Sequence, residues 1–179
     1  MNAGFHLDPQ EIIIRKVNRH WIDLLPVAVS TTILLIMVLV GGFIYGRYSN
    51  LVPGLTPGLV VLILLVVLLI AVFIFFAGVF VYRQNYLVLT NLHLVLVEQK
   101  GVFNREVSQL SLARLQDVAG RRTGLLATVL NFGIVEVQSA GEHDKFIFTN
   151  APAPQQLSDQ CLEAHEAYRR ANPTQDSGV

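Results

Sequence analysis

The chain has 179 residues, 53% of them hydrophobic and only 15% charged, where a soluble globular domain carries about 25% charged residues. Thirteen Lys and Arg balance thirteen Asp and Glu, so the net charge is zero and no strong field for nucleic acid is expected. The composition describes a membrane protein with a modest soluble part, and it excludes a disordered or collagen-like chain.

Residues 1–23 are expected to form a cytoplasmic or interfacial segment. Within it, Leu7–Trp21 reads LDPQEIIIRKVNRHW. Asp8 before Pro9 reads as a helix N-cap with proline at the first helical position. The β-branched run Ile12-Ile13-Ile14 favours a strand instead. Both readings stay open at this stage. Either way the segment is half apolar and half basic, suited to lie along the membrane or to pack on a soluble domain.

Two apolar runs follow. Leu24–Tyr45 holds 22 residues without a formal charge, which as a helix reaches ~33 Å, enough to cross ~30 Å of hydrocarbon. Its apolar core is too long for a signal peptide, and no small-x-small cleavage site follows. Leu59–Tyr82 holds 24 more, ~36 Å as a helix. The link 46–58 carries Pro53-Gly54 and Pro57-Gly58, both turn formers, so the spans are predicted to form an antiparallel hairpin. Trp21, Tyr45, Tyr48, Tyr82 and Tyr86 mark the interfaces. Gly42 and Gly46 make a small-xxx-small pair, a candidate helix-packing face. Neither run contains Asp, Glu, Lys, Arg or His, so no ion or proton pathway is expected through them. Arg15, Lys16 and Arg19 precede the first span and Arg83 and Lys100 follow the second, against Arg47 alone in the link. This bias predicts a two-pass protein of the cytoplasmic (inner) membrane with both termini inside.

After Tyr82 the pattern changes to short alternating runs. Tyr86–Thr90, a turn at Asn91-Leu92, and His93–Gln99 read as a hairpin. Glu106–Leu112 and Leu115–Gly120 are weaker strand candidates. Ile134–Ala140 and Lys145–Thr149 flank a polar turn at Gly141–Asp144. Together these predict an antiparallel sheet. Pro154 stands at a helix start, and Gln155–Ala171 places Leu157, Cys161, Ala164, His165 and Tyr168 on one side of an amphipathic helix. Residues 83–171 are thus expected to be an α+β domain large enough to fold alone, and 172–179 a polar, disordered tail.

The string Tyr86-x-x-x-Thr90-Asn91, Gly101, Leu112-x-x-Leu115-Gln116-Asp117-Val118, then Asn131-Phe132-Gly133-x-Val135-x-Val137-x-Ser139-Ala140-Gly141 resembles the bacterial pleckstrin-homology-like (PH-like) domain family. Its membrane-bound members carry two helices before such a domain. The resemblance spans about Trp21–Tyr168. It implies two roughly orthogonal antiparallel sheets closed by a C-terminal helix, hence a membrane α-helical hairpin joined to an α+β PH-like domain. Two departures are His93, where the family usually has arginine, and Thr123–Leu130, where it often has a glycine- and arginine-bearing turn.

No catalytic machinery is visible in the motifs. The five histidines lack metal-site spacing, Cys161 is the only cysteine, and nucleophile elbows, phosphate loops and dinucleotide fingerprints are missing. Neither a cofactor, a metal nor a small-molecule substrate is expected. Cys161 reads as a buried structural thiol. Arg114, Arg121 and Arg122 form the densest basic group, a candidate contact for lipid phosphates or a partner, though a solvated loop is the plainer reading. Membrane attachment is expected to rest on the spans and not on Arg121 or Arg122. The expected function is non-enzymatic: a membrane-anchored binding or scaffold protein presenting a β-rich domain to protein partners or to itself. Two alternatives remain open. One is an accessory subunit of a larger membrane complex, held through the hairpin. The other is anionic-lipid recognition by the Arg121-Arg122 loop.

Overall fold

The computed structural model describes residues 11–48, 56–139 and 145–172. Asp8-Pro9, Pro53-Gly54, the Gly141–Asp144 turn, His6, His143 and the tail beyond Asn172 lie outside the described residues. The chain divides into two compact units, one spanning Trp21–Tyr82 and the other joining the chain up to His20 with Arg83 onward.

In the first unit a 3₁₀ turn at Trp21–Leu24 leads into α1 (Leu25–Tyr48), and α2 spans Pro57–Gln84. Both helices are long and apolar enough to cross a membrane. Proline stands only in the first turn of each, where no intrahelical N–H is lost. The less exposed positions recur at alternating steps of four and three: Val27, Thr31, Leu34, Val38 and Gly41 on α1, and Leu64, Val67, Ala71, Ile74 and Gly78 on α2. That is the seam of two helices packed side by side. Small residues set its closeness. Ala71 is fully buried, and a Cβ at Gly78 would come within 2.5 Å of Val27 Cγ2.

The second unit contains two antiparallel sheets. The first has the order β1-β2-β3-β4, with β1 Ile13–Asn18, β2 Tyr86–Thr90, β3 His93–Gln99 and β4 Arg105–Ser111. The second has the order β5-β6-β7, with β5 Leu115–Arg121, β6 Phe132–Ser139 and β7 Lys145–Pro152. A five-residue helix α3 (Leu125–Val129) joins β5 to β6, and α4 (Pro154–Ala171) closes the domain. This is the hairpin-plus-PH-like architecture that the resemblance implied.

One core unites the sheets and the final helix. Leu87, Leu89, Leu94 and Leu96 of the first sheet meet Val135, Val137 and Phe148 of the second, under Leu157, Cys161 and Ala164 of α4. The expected α4 face is thus the one that packs, and His165 adds a bond from Nδ1 to the Leu112 carbonyl at 2.7 Å. Tyr86, Val88, Val95 and Val97 form a smaller cluster on the other side of β2 and β3, so these strands are apolar on both faces. The alternation expected after Tyr82 therefore does not hold in these two strands, where YLVLT and HLVLV are apolar at successive positions because both faces are covered.

Three features depart from the sequence reading. The conflict over residues 7–21 resolves toward the strand: β1 pairs with β2 and puts Val17 into the core. The domain expected at 83–171 therefore draws its first strand from before the hairpin. Second, Thr123–Leu130, for which the sequence pattern predicts no helix, contains α3. Third, strands β5 and β6 meet each other and the start of α4 through close passages at Gly120 and Gly133 that no periodicity reveals. A Cβ on Gly133 would overlap the Arg121 carbonyl and sit 3.0 Å from Pro154 Cγ. Backbone cannot swing aside as a side chain can. Gly133→Val is expected to destabilise the domain by about 1–3 kcal/mol, read as a lowered urea midpoint. An unchanged midpoint would show that the passage is looser than described.

Candidate functional site

The Thr90-Asn91 pair builds a latch. Thr90 Oγ1 accepts from the His93 N–H at 2.8 Å, which closes the β2–β3 turn, and lies within hydrogen-bond reach of the Glu11 carboxylate. His93 Nδ1 stands 3.0 Å from the same carboxylate, whose side chain is almost fully buried. Asn91 Oδ1 accepts from the Ile12 N–H at 2.8 Å, and its own N–H donates to the Ile12 carbonyl at 3.1 Å. Asn91 therefore does more than shape a turn, since it holds the start of β1.

Beyond the latch, β1 is the edge strand of its sheet. Ile13 pairs with Thr90 and Arg15 with Leu89, so Ile14 is the extra residue of a bulge. A bulge re-aims its side chain, and Ile14 lines a groove between β1 and α4. The groove has two adjoining parts of about 340 and 180 Å³ that share Ile14, Ala164 and Ala167. Its walls are mixed in character: Ile14, Leu92 and Tyr168 are apolar, whereas Arg15, Gln160 and Glu163 are polar. Arg15 donates across it to Gln160 Oε1. No motif flagged this groove. Its one sequence signal was an exposed isoleucine run beside a basic pair.

The basic group does not converge. Arg114 ends a 3₁₀ turn capped by Ser111, whose Oγ accepts from the Ala113 N–H at 3.3 Å. Arg121 ends β5, seven residues on, which in extended chain is ~23 Å away. Arg121 faces Glu136 at 3.8 Å on the outer side of β5 and β6, and Arg122 follows it, exposed, into the α3 connection. In the hairpin, Gly41 and Gly42 adjoin Leu64, while a Cβ at Gly46 would meet nothing within 4 Å. Among the described residues of the hairpin, the tightest approach at a glycine is at Gly78, against Val27.

The N-terminal basic residues are all engaged by the domain. Lys16 Nζ lies 3.9 Å over the Tyr86 ring, and Arg19 pairs with Glu98 at 2.6 Å. His20 stacks on Phe132 at 5.2 Å, and burial lowers its pKa below the ordinary value.

Cys161 is fully buried, and desolvation pushes its thiol up to about 12. The neutral thiol is the form the core favours. Stability due to it is complete below the unfolded value near 9.0 and is lost as pH rises toward about 12. Thiol reagents are accordingly expected to label the folded chain only at its opening rate and the denatured chain at once. Rapid labelling at pH 8 would mean that the thiol is accessible. Among the described residues, no group of three His, Cys, Asp or Glu is placed to hold a metal ion.

Compared with known families, residues 24–165 match the model of the bacterial PH domain. Searches of curated proteins and of solved structures returned no match.

Proposed function

Because the chain belongs to the bacterial PH domain family, we propose that it is a membrane-anchored, non-enzymatic binding module. It presents its β-rich domain at the cytoplasmic face of the membrane to a protein partner or to a second copy of itself. The family match supports a binding role in general. The observation that carries the finer reading is the groove between the edge strand β1 and α4. An edge strand offers backbone donors and acceptors to an extended segment, and flanking pockets take its alternate side chains.

A photo-crosslinking amino acid at Ile14 is expected to trap a discrete protein, or a second copy of the chain, in cells. Filling the groove with Ala167→Arg should remove that adduct. Adducts obtained only from the hairpin, for example from the exposed Phe73, would favour the accessory-subunit reading. The cytoplasmic orientation is supported by the Lys and Arg bias. Reporter fusions at Ser49 and at the C-terminus should report opposite sides, and an external signal from the C-terminal fusion would overturn it.

A further inference from the structure

Large aliphatic and aromatic side chains left in water on a small domain mark an interaction surface when they share one region. Outside the hairpin, Phe103 is 99% exposed, and Leu125, Leu126 and Val129 are 81%, 65% and 72% exposed. They belong to two separate connections, the β3–β4 turn and α3. Only Ala127 of α3 is buried, so this short helix turns its bulk outward.

Both connections lie at the same end of the domain. Asn18 pairs with Tyr86, so the last residue of β1 and the first of β2 are side by side. Two residues beyond Asn18 the chain reaches His20 and then Trp21, where the first membrane-length helix begins. One residue before Tyr86 is Asn85, which directly follows the second. His20 stacks on Phe132, three residues past the end of α3. Asn85 exchanges hydrogen bonds with the Gln99 backbone at 2.8 and 3.2 Å, and Gln99 Nε2 donates to the Gly101 carbonyl in the turn that carries Phe103. Each junction with a span is therefore next to one of the exposed apolar connections.

The charges of this end suit an anionic surface. No acidic residue occurs between Asp117 and Glu136, a stretch that contains Arg121 and Arg122. Glu98 and Glu106 are occupied by Arg19 and Lys100, each at 2.6 Å, and Glu136 stands 3.8 Å from Arg121, whose side chain is still two-thirds exposed. Apolar side chains flanked by arginine and lysine are what the headgroup boundary accepts.

We propose that this end of the domain docks on the bilayer surface, with Phe103, Leu125, Leu126 and Val129 seated in the headgroup boundary and Arg121 and Arg122 against lipid phosphates. Two covalent tethers hold the loops at the surface, so the effective concentration is high and docking needs little affinity of the free domain. The β1–α4 groove lies at the other end: Asn91, on its wall, is separated from Asn85 by the five residues of β2, or ~17 Å. Docking would hold that groove open to the aqueous side. Docking at this end is independent of whether the groove holds a partner.

The test uses the full chain reconstituted in vesicles of phosphatidylcholine and phosphatidylglycerol, with no other protein present. Phe103→Cys, Leu126→Cys and, as a control at the far end of β6, Gln138→Cys are labelled with an environment-sensitive fluorophore. Labelling confined to the introduced cysteine, with Cys161 protected, certifies the fold. Emission from positions 103 and 126 is expected to shift to the blue. Lipids spin-labelled near the headgroup should quench them at least about twofold more than position 138, and quenching at 126 should fall when phosphatidylglycerol is omitted. Equal access of a water-soluble quencher to all three positions would overturn the proposal. Shielding that arises only on adding a membrane protein extract would also overturn it, and would assign this surface to a protein.

Discussion

Phe148→Ala is expected to lower the stability of the β-rich domain by about 3–5 kcal/mol, enough to leave a marginal domain largely unfolded. Phe148 is the largest fully buried side chain among the described residues. It stands on β7 opposite Val135 of β6 and within the cluster that joins both sheets to α4. No single neighbour can move to fill the space it vacates, because strands from both sheets fix the walls. Pulse proteolysis of the full chain in nanodiscs would measure the loss. Phe103→Ala is the matched control: it removes the same atoms from a side chain that packs in no protein core and should fall within about 0.5 kcal/mol of the parent. Equal effects from the two changes would contradict the described core.

The second large effect concerns β1. A fragment beginning at Arg83 lacks the strand that supplies Val17 to the core and Glu11 to the Thr90 and His93 latch. Burial of the valine is worth about 1.5–3 kcal/mol, and each hydrogen bond about 1 kcal/mol more. The fragment 83–172 is expected to melt at low temperature or without cooperativity. A peptide of residues 11–20 added in trans should raise its midpoint saturably, and the same peptide carrying Val17→Asp should not. A fragment that melts cooperatively and ignores the peptide would show that the strand is dispensable.

That dependence is a long-range property, and the features legible in the sequence are local ones. The run of 35 uncharged residues from Tyr48 to Tyr82 was legible because hydrocarbon thickness demands a continuous apolar stretch. The hairpin β2–β3 and the helix α4 were legible because turn chemistry and helical period are local properties. Cys161 fell on the packed face for the same reason. The isoleucine run before the hairpin could not be assigned, since its partner is more than sixty residues away and on the far side of two spans. Local propensity says that such a run is extended, and nothing in it says which edge it fills.

The candidate site shows the same division. Arg114, Arg121 and Arg122 are close in number, yet the extended backbone of β5 carries Arg114 away from the other two. Gly42 and Gly46 have the spacing of a packing pair, but the seam of α1 passes through Gly41, and the tightest approach is made by Gly78 of α2. The sequence by itself determined the two membrane-length apolar helices, the antiparallel strand pattern and the amphipathic closing helix, because each rests on burial preferences repeated every few residues. Only the tertiary structure decided that β1 completes the sheet, that a groove opens between it and α4, and that both span junctions share one end with Phe103 and α3. Those relations join residues through space and carry no period along the chain.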